Sequence, residues 1–172
     1  MTQNEIFEKL YASYCNWYNM ELCGEEKTPL AASGIFNSTD ISYLLIEKAK
    51  MWSTNSNDYL FIFRLGRLTA ADFSRLTAMA KEMGERHIVP DRNHKSSYVT
   101  ALFICENADR DAVEALRKYR FRKDFAFGFK GWEEVHTALV AADDGSICSN
   151  RDGLNTAKYL KSVLYPKRKK FF

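Results

Sequence analysis

The chain has 172 residues, of which 46% are hydrophobic and 27% charged, and its formal net charge is +3. This length fits one domain with its own core, and the composition excludes a disordered or low-complexity protein. Residues 167–170 carry four positive charges, and subtracting them from +3 leaves −1 for the remainder. We therefore predict a single domain over residues 1–166 and a basic, disordered tail over residues 167–172. Basic character is then confined to local patches.

The cysteines and the lack of long apolar runs indicate the compartment. Cys15, Cys23, Cys105 and Cys148 form no Cys-x-x-Cys pair and match no zinc spacing. The N-terminus is acidic and polar, and no apolar run approaches the roughly 20 residues that span a membrane. We therefore predict a cytoplasmic protein with free thiols, without a membrane span and without a metal or cofactor.

The first third of the chain predicts one helix followed by three strands. Residues 2–19 place apolar and aromatic side chains at helical spacing, and a polar connector follows up to Pro29. Strands are predicted at 30–37, at 41–52 and at 58–65. The last of these is apolar at nearly every position, which indicates a strand covered on both faces.

The remainder alternates helices and strands. Thr69 is expected to cap a second helix, and another strand covered on both faces is predicted at 98–105. A third helix follows. Three strands are then predicted, at about 124–129, 134–142 and 146–148. Pro166 is expected to end the last helix.

The predicted order, α-βββ-α-β-α-βββ-α, indicates an α+β fold with helices packed on a mixed, largely antiparallel sheet. Its opening, α-βββ-α-β, resembles the core order of restriction-endonuclease-like nucleases. Those enzymes hold a divalent ion with an acidic residue on the second strand and an (Asp/Glu)-x-Lys on the third. The third strand, from residue 58 to 64, has no such triplet. A nuclease would need a displaced acidic set, for which the candidates are Asp40, Glu47 and Asp58.

A basic and aromatic stretch, RKYRFRKDF, occupies residues 117–125. Its first half is expected to end a helix, where cations complement the helix dipole. From Phe121 onward the pattern alternates as in a strand, with phenylalanines at odd positions up to Phe129. Lys123 falls on the same strand face as these phenylalanines. It therefore marks a bulge, precedes the start of regular strand pairing, or extends its ammonium group to solvent while its stem stays on the apolar face. The functional alternative is that Lys123 contacts a phosphate or carboxylate.

A second basic run, KAKMW, occupies residues 48–52. In a strand Lys48, Lys50 and Trp52 share one face, so two ammonium groups lie beside an indole that could stack on a base. The same pattern is also typical of a solvated strand face with an anchoring tryptophan.

Two further arrangements are candidates for chemistry. Glu134 and His136 share one face of a predicted strand and could form an acid–base pair, as could such residues in any alternating strand. The turn at 149–153 precedes the last helix, so Arg151 and the helix N-terminus could hold an anion, although its Asn and Asp are also ordinary capping residues. The motifs of zincins, α/β-hydrolases, P-loop proteins and dinucleotide-binding proteins do not occur.

The run at 48–52, the stretch at 120–132 and the turn at 150–153 together resemble an uncharacterised bacterial protein family. The resemblance extends from about residue 30 to residue 160. It implies a compact intracellular α+β domain with no assigned activity and no catalytic residues. It also implies that the two basic runs belong to one recurring set.

The leading hypothesis is a cytoplasmic binding domain for an anionic ligand, either a nucleotide or a nucleic acid. Its predicted contacts are Lys48, Lys50, Trp52, Arg120, Arg122 and Lys123. One alternative is a divergent metal-dependent nuclease or phosphodiesterase with the acidic set named above. The other is a self-associating structural domain whose aromatic residues form an interface. A binding protein is favoured over an enzyme, because no reaction is indicated.

Overall fold

A computed structural model describes residues 1–37, 56–90 and 94–166. The described residues form four helices and a mixed seven-stranded sheet, in the order α-βββ-α-β-α-βββ-α. The predicted α+β class is therefore confirmed. The two orders also read alike, but the first observed strand, Asn19–Leu22, was not among the predicted strands. The strand predicted at 41–52 and the tail at 167–172 lie outside the described residues.

The described helices and strands have the following bounds. They are α1 (Gln3–Tyr14), β1 (Asn19–Leu22), β2 (Leu30–Asn37), β3 (Ser56–Leu68), α2 (Ala70–Glu85), β4 (Ser96–Ala108), α3 (Arg110–Lys118), β5 (Arg122–Asp124), β6 (Trp132–Ala141), β7 (Ile147–Ser149) and α4 (Leu154–Leu164).

The sheet has the order β1-β2-β3-β4-β6-β5, and β7 also pairs with β6. The central strands β3, β4 and β6 are parallel, whereas the other four pairings are antiparallel. Asp58 on β3 lies opposite Tyr98 on β4, which lies opposite Glu134 on β6. The N-terminal ends of the three parallel strands therefore meet at one end of the sheet. β5 pairs with the first residues of β6 at that same end.

Each face of the sheet has its own hydrophobic core. Even-numbered residues such as Leu60, Leu102 and Val140 face α1 and α4, and odd-numbered residues such as Phe61 and Phe103 face α2 and α3. This alternation is the period of two expected for strands. Because both sets are buried, the strands predicted to be covered on both faces are confirmed as such.

The N-terminal region differs from the sequence-based prediction. Helix α1 ends at Tyr14, earlier than predicted, and the connector contains the edge strand β1. Three of the four β1 residues are exposed. A strand without a buried face lacks the apolar alternation by which strands are recognised. The cap of α2 is as predicted, since the Asp72 amide donates to Thr69 Oγ1 at 3.1 Å.

The strand predicted at 124–129 is wrong. Only Arg122–Asp124 pairs with β6, and the chain then forms a 3-10 turn over Ala126–Gly128. Ala126 and Phe127 have φ values of 48° and 56°, in the left-handed region that extended strands do not visit. The phenylalanines beyond Asp124 therefore do not share one face of a strand.

Gly84 allows the C-terminal part of α2 to pack closely on β4. A Cβ atom at this position would overlap the side chain of Val99, which is fully buried. We expect Gly84→Ala to lower the free energy of unfolding by about 1–2 kcal/mol, because overpacking outweighs the roughly 1 kcal/mol that alanine gains in a helix. Urea denaturation measures this change. Gly66→Ala, whose Cβ would meet nothing within 4 Å, is the control, and an equal loss there would contradict the packing explanation.

Candidate anion-binding site

A row of polar side chains crosses the sheet at the N-terminal ends of β3, β4 and β6. It consists of Asp58, Tyr98, Thr100, Glu134 and His136, and we call it the polar row. All five positions are even-numbered, so they lie on the face covered by α1 and α4. Further along the same strands this face is apolar. The polar row is thus a local break in the core.

Asp58 is the most buried acid of the polar row, with 1% of its surface exposed. Its Oδ1 accepts a hydrogen bond from Thr100 Oγ1 at 3.1 Å. Burial raises the pKa of Asp58 to about 6, opposed by His136, by the Tyr18 hydroxyl and by Thr100. The carboxyl group therefore titrates close to neutral pH.

His136 and Glu134 are neighbours on β6, as their shared strand face indicated. The imidazole stacks on the Tyr98 ring with centroids 4.9 Å apart, and its Nε2 lies 3.7 Å from Glu134 Oε2. The interaction with His136 is the main cause of a lowered pKa of Glu134; Arg122 acts in the same direction and partial burial opposes both. Glu134 is therefore ionised at neutral pH.

Arg122 continues the polar row onto β5. Its Nη1 donates to Glu134 Oε1 at 2.9 Å, and its Nη2 donates to Asp124 Oδ1 at 3.2 Å. The guanidinium carbon lies 4.8 Å from the centre of the Trp132 ring. Two carboxylates and one indole thus fix the plane of this guanidinium group.

Glu134 of the polar row also lines a groove of about 290 Å³. We call it the arginine groove, and its lining residues are Arg120, Phe121, Arg122, Glu134, Arg151 and Asp152. Arg120 Nη1 donates to the Tyr119 carbonyl at 2.9 Å and lies 3.8 Å from Asp152 Oδ2. Three arginines from two separate segments therefore face one cavity.

Asn150 connects the segments that line the arginine groove through buried hydrogen bonds. It is fully buried, and its Oδ1 accepts hydrogen bonds from the amides of Thr137 at 3.1 Å and Gly153 at 2.8 Å. Its Nδ2 donates to the carbonyls of Tyr119 and Val135, both at 3.2 Å. Sequence reasoning identified Asn150 only as a capping residue. Its contacts with β6 and with the end of α3 have no local signal in the sequence.

The structure brings together only part of the predicted anion-binding set. Arg120 and Arg122 line the same groove. Lys123 lies on the opposite face of the sheet, where its Nζ is 3.4 Å from Glu85 Oε1 on α2. Lys48, Lys50 and Trp52 lie outside the described residues.

The structure describes only one of the three acidic residues predicted for the nuclease alternative. Asp58 belongs to the polar row, whereas Asp40 and Glu47 lie outside the described residues. Within residues 1–37, 56–90 and 94–166, no three His, Cys, Asp or Glu side chains are placed to hold a metal ion.

The fold and the site define an α+β protein with a charged groove at one end of a mixed sheet. Residues 2–162 match the family described as Domain of unknown function (DUF8052), and the chain belongs to that family. The prediction of an uncharacterised family is thereby confirmed. No curated protein matches the chain. In the part of the chain that the structure describes, no helix is both long and apolar enough to cross a membrane.

Proposed function

We propose that the arginine groove binds a phosphate-bearing anion, either a nucleotide or a nucleic acid. The proposal rests on the convergence of Arg120, Arg122 and Arg151 on one groove. A guanidinium group binds phosphate oxygens through two parallel hydrogen bonds, so several arginines around one cavity favour this class of ligand.

The existing contacts of the arginines leave room for a ligand. Arg122 uses its Nε and one N–H on each terminal nitrogen to bind Asp124 and Glu134, so two of its five N–H groups remain for another acceptor. Arg151 is exposed and forms no salt bridge within the described part of the chain. The carboxylates thus orient Arg122 and leave two of its N–H groups, together with the exposed Arg151, for a ligand; the groove lining carries three positive and two negative side chains.

The N-terminus of α4 adds positive potential beside the groove. Helix α4 starts at Leu154, two residues after the lining residue Asp152. It has no side-chain cap and no acidic residue in its first turn. The partial positive charge of a helix N-terminus favours anions, so the helix supports the same ligand class as the arginines.

The test compares two neighbouring positive residues on opposite faces of β5. We expect Arg122→Gln to weaken binding of ATP and of a fluorescein-labelled single-stranded oligothymidylate by about 10- to 100-fold, the value of a charge-assisted hydrogen bond. Isothermal titration calorimetry and fluorescence anisotropy at fixed salt measure the two affinities. Lys123→Gln removes the same charge one residue away and is expected to change them by less than about threefold, as for a peripheral charge.

Arg151→Gln is the second variant, because Arg151 is exposed and its loss leaves the salt bridges of Arg122 intact. A similar loss of affinity in Arg151→Gln would separate ligand binding from any effect on folding. Equal losses in Arg122→Gln and Lys123→Gln, or no binding of either ligand by the wild type, would overturn the proposal.

Lys48, Lys50 and Trp52 remain predicted contacts of the same ligand. The metal-dependent nuclease and the self-associating domain also remain predictions. Two of the three acidic residues of the nuclease lie outside the described residues, and a single chain does not test self-association. Incubating the same oligothymidylate with Mg²⁺ and resolving it on a gel addresses the first, and light scattering addresses the second.

A further inference from the structure

The loop at residues 125–131, between β5 and β6, exposes two large aromatic side chains; we call it the aromatic loop. Phe127 is 100% exposed and Phe129 is 88% exposed. No other large hydrophobic residue in the described ranges is as exposed as these two. Neighbouring apolar side chains exposed to this degree mark a site of interaction.

The base of the aromatic loop is held in place. The Lys130 amide donates to the Phe125 carbonyl at 3.1 Å, which closes the loop. His94 Nδ1 donates to the Lys130 carbonyl at 2.6 Å, and its ring meets Phe125 edge-on with centroids 5.6 Å apart. These contacts fix the base, so the tip projects from an anchored support.

The backbone of the tip is held in a sparsely populated conformation. Ala126 and Phe127 adopt φ values of 48° and 56°, which residues other than glycine rarely adopt. Such a conformation persists where the surrounding structure imposes it, and it is commonest at functional positions. One of the two residues, Phe127, carries a fully exposed ring.

One exposed cation lies next to the tip, and Asp124 directly precedes the loop. Lys130 follows Phe129 directly and is exposed, and residues 125–131 contain no acidic residue. Arg122 of the arginine groove precedes Phe125 by three residues, which is roughly 10 Å of extended chain. A partner that fits this surface therefore carries flat apolar groups and negative charge.

We propose that the aromatic loop stacks the bases of a single-stranded nucleic acid whose phosphates bind the arginine groove. This inference rests on the proposed function and specifies its ligand. Aromatic platforms beside a positive groove are the means by which single strands are bound without sequence preference. In a duplex the base faces are already stacked on one another, so a duplex should bind more weakly.

The experiment replaces both exposed rings. We expect Phe127→Ala/Phe129→Ala to weaken binding of the fluorescein-labelled oligothymidylate at least tenfold and to leave ATP binding within about twofold. Phe127→Trp/Phe129→Trp should keep wild-type affinity, because the stacking surface is retained. Leu22→Ala is the matched control, since it removes an exposed apolar side chain from β1 at the far edge of the sheet.

The outcomes separate the two proposals. If the wild type binds ATP and the double alanine variant binds the oligothymidylate as well as the wild type, the stacking role is wrong and the arginine groove stands. If the wild type binds neither ATP nor the oligothymidylate, the proposed function itself fails. A flotation assay with phosphatidylserine vesicles tests a membrane contact. If the wild type floats with the vesicles and the double alanine variant loses only this flotation, the loop contacts a membrane and the nucleic-acid inference is overturned.

Discussion

Replacing Asn150 with alanine is expected to lower the free energy of unfolding by about 4 kcal/mol, a large share of the roughly 5–15 kcal/mol that stabilise a typical domain. The side chain makes four hydrogen bonds with backbone groups of four different residues. Truncation leaves these buried donors and acceptors unpaired, at a cost of about 1–3 kcal/mol for each group that water does not reach.

The same substitution should also reduce ligand binding, because Asn150 sets the relative position of two parts of the arginine groove. It contacts the Tyr119 carbonyl, one residue before Arg120, and the Gly153 amide, two residues after Arg151. Without this bridge the two arginines are no longer held at a fixed separation. We expect ATP affinity to fall even at temperatures where the variant is folded.

Thermal and urea denaturation followed by circular dichroism measure the stability change. Asn155→Ala is the matched control, since Asn155 is exposed on α4 and alanine is the better helix former. Its stability should be unchanged or slightly raised. A loss below about 1 kcal/mol in Asn150→Ala would show that water or neighbouring groups replace the four hydrogen bonds.

The fold class was predictable from the sequence because its strongest signals are local. The apolar runs of β3 and β4 indicate strands covered on both faces, and a capping threonine precedes α2. The edge strand β1 was not predictable, because exposed Asn19, Glu21 and Leu22 give no apolar period. Edge strands are defined by the neighbour they pair with, which the local sequence does not specify.

The stretch after Asp124 shows how a period can mislead. Its phenylalanines alternate as in a strand, yet β6 begins at Trp132 and offers no partner beyond Asp124. Gly128 and Gly131, both with positive φ, were the local signal of a turn. The pairing of strands within the whole sheet, and not the local period, determines that this stretch forms a turn instead of a strand.

The candidate site was only partly predictable, because its residues come from distant segments. Glu134 and His136 were recognisable as a pair, since they are two residues apart on one strand. Asp58 joins them only because β3, β4 and β6 are parallel and in register. Conversely, Arg122 and Lys123 are adjacent in the sequence, and strand alternation sends them to opposite faces of the sheet.

The second large effect is expected at Asp58, as a change in how stability depends on pH. Burial raises the pKa of this carboxyl group from 3.8 to about 6. The folded protein therefore holds the proton at pH values where the unfolded chain has released it. By linkage, the stabilisation from the bound proton is complete below about pH 3.8 and is lost as pH rises through about 6. The difference of about two pH units corresponds to about 3 kcal/mol.

Asp58→Asn removes the ionisation and retains an oxygen that can accept the hydrogen bond of Thr100. We expect this variant to be more stable than the wild type by up to about 3 kcal/mol at pH 8, and nearly equal to it at pH 4. Urea denaturation across this range measures the difference. Glu133 also has a raised pKa, caused by burial and by Glu85. Its effect on stability is the same in the wild type and the variant, so it cancels in the difference between them.

A variant that is no more stable than the wild type at pH 8 would contradict an ionised, buried Asp58. If the variant is more stable but binds ATP more weakly, the Asp58 carboxylate lowers stability and is retained because the site requires it. Such an exchange of stability for function is expected at binding sites.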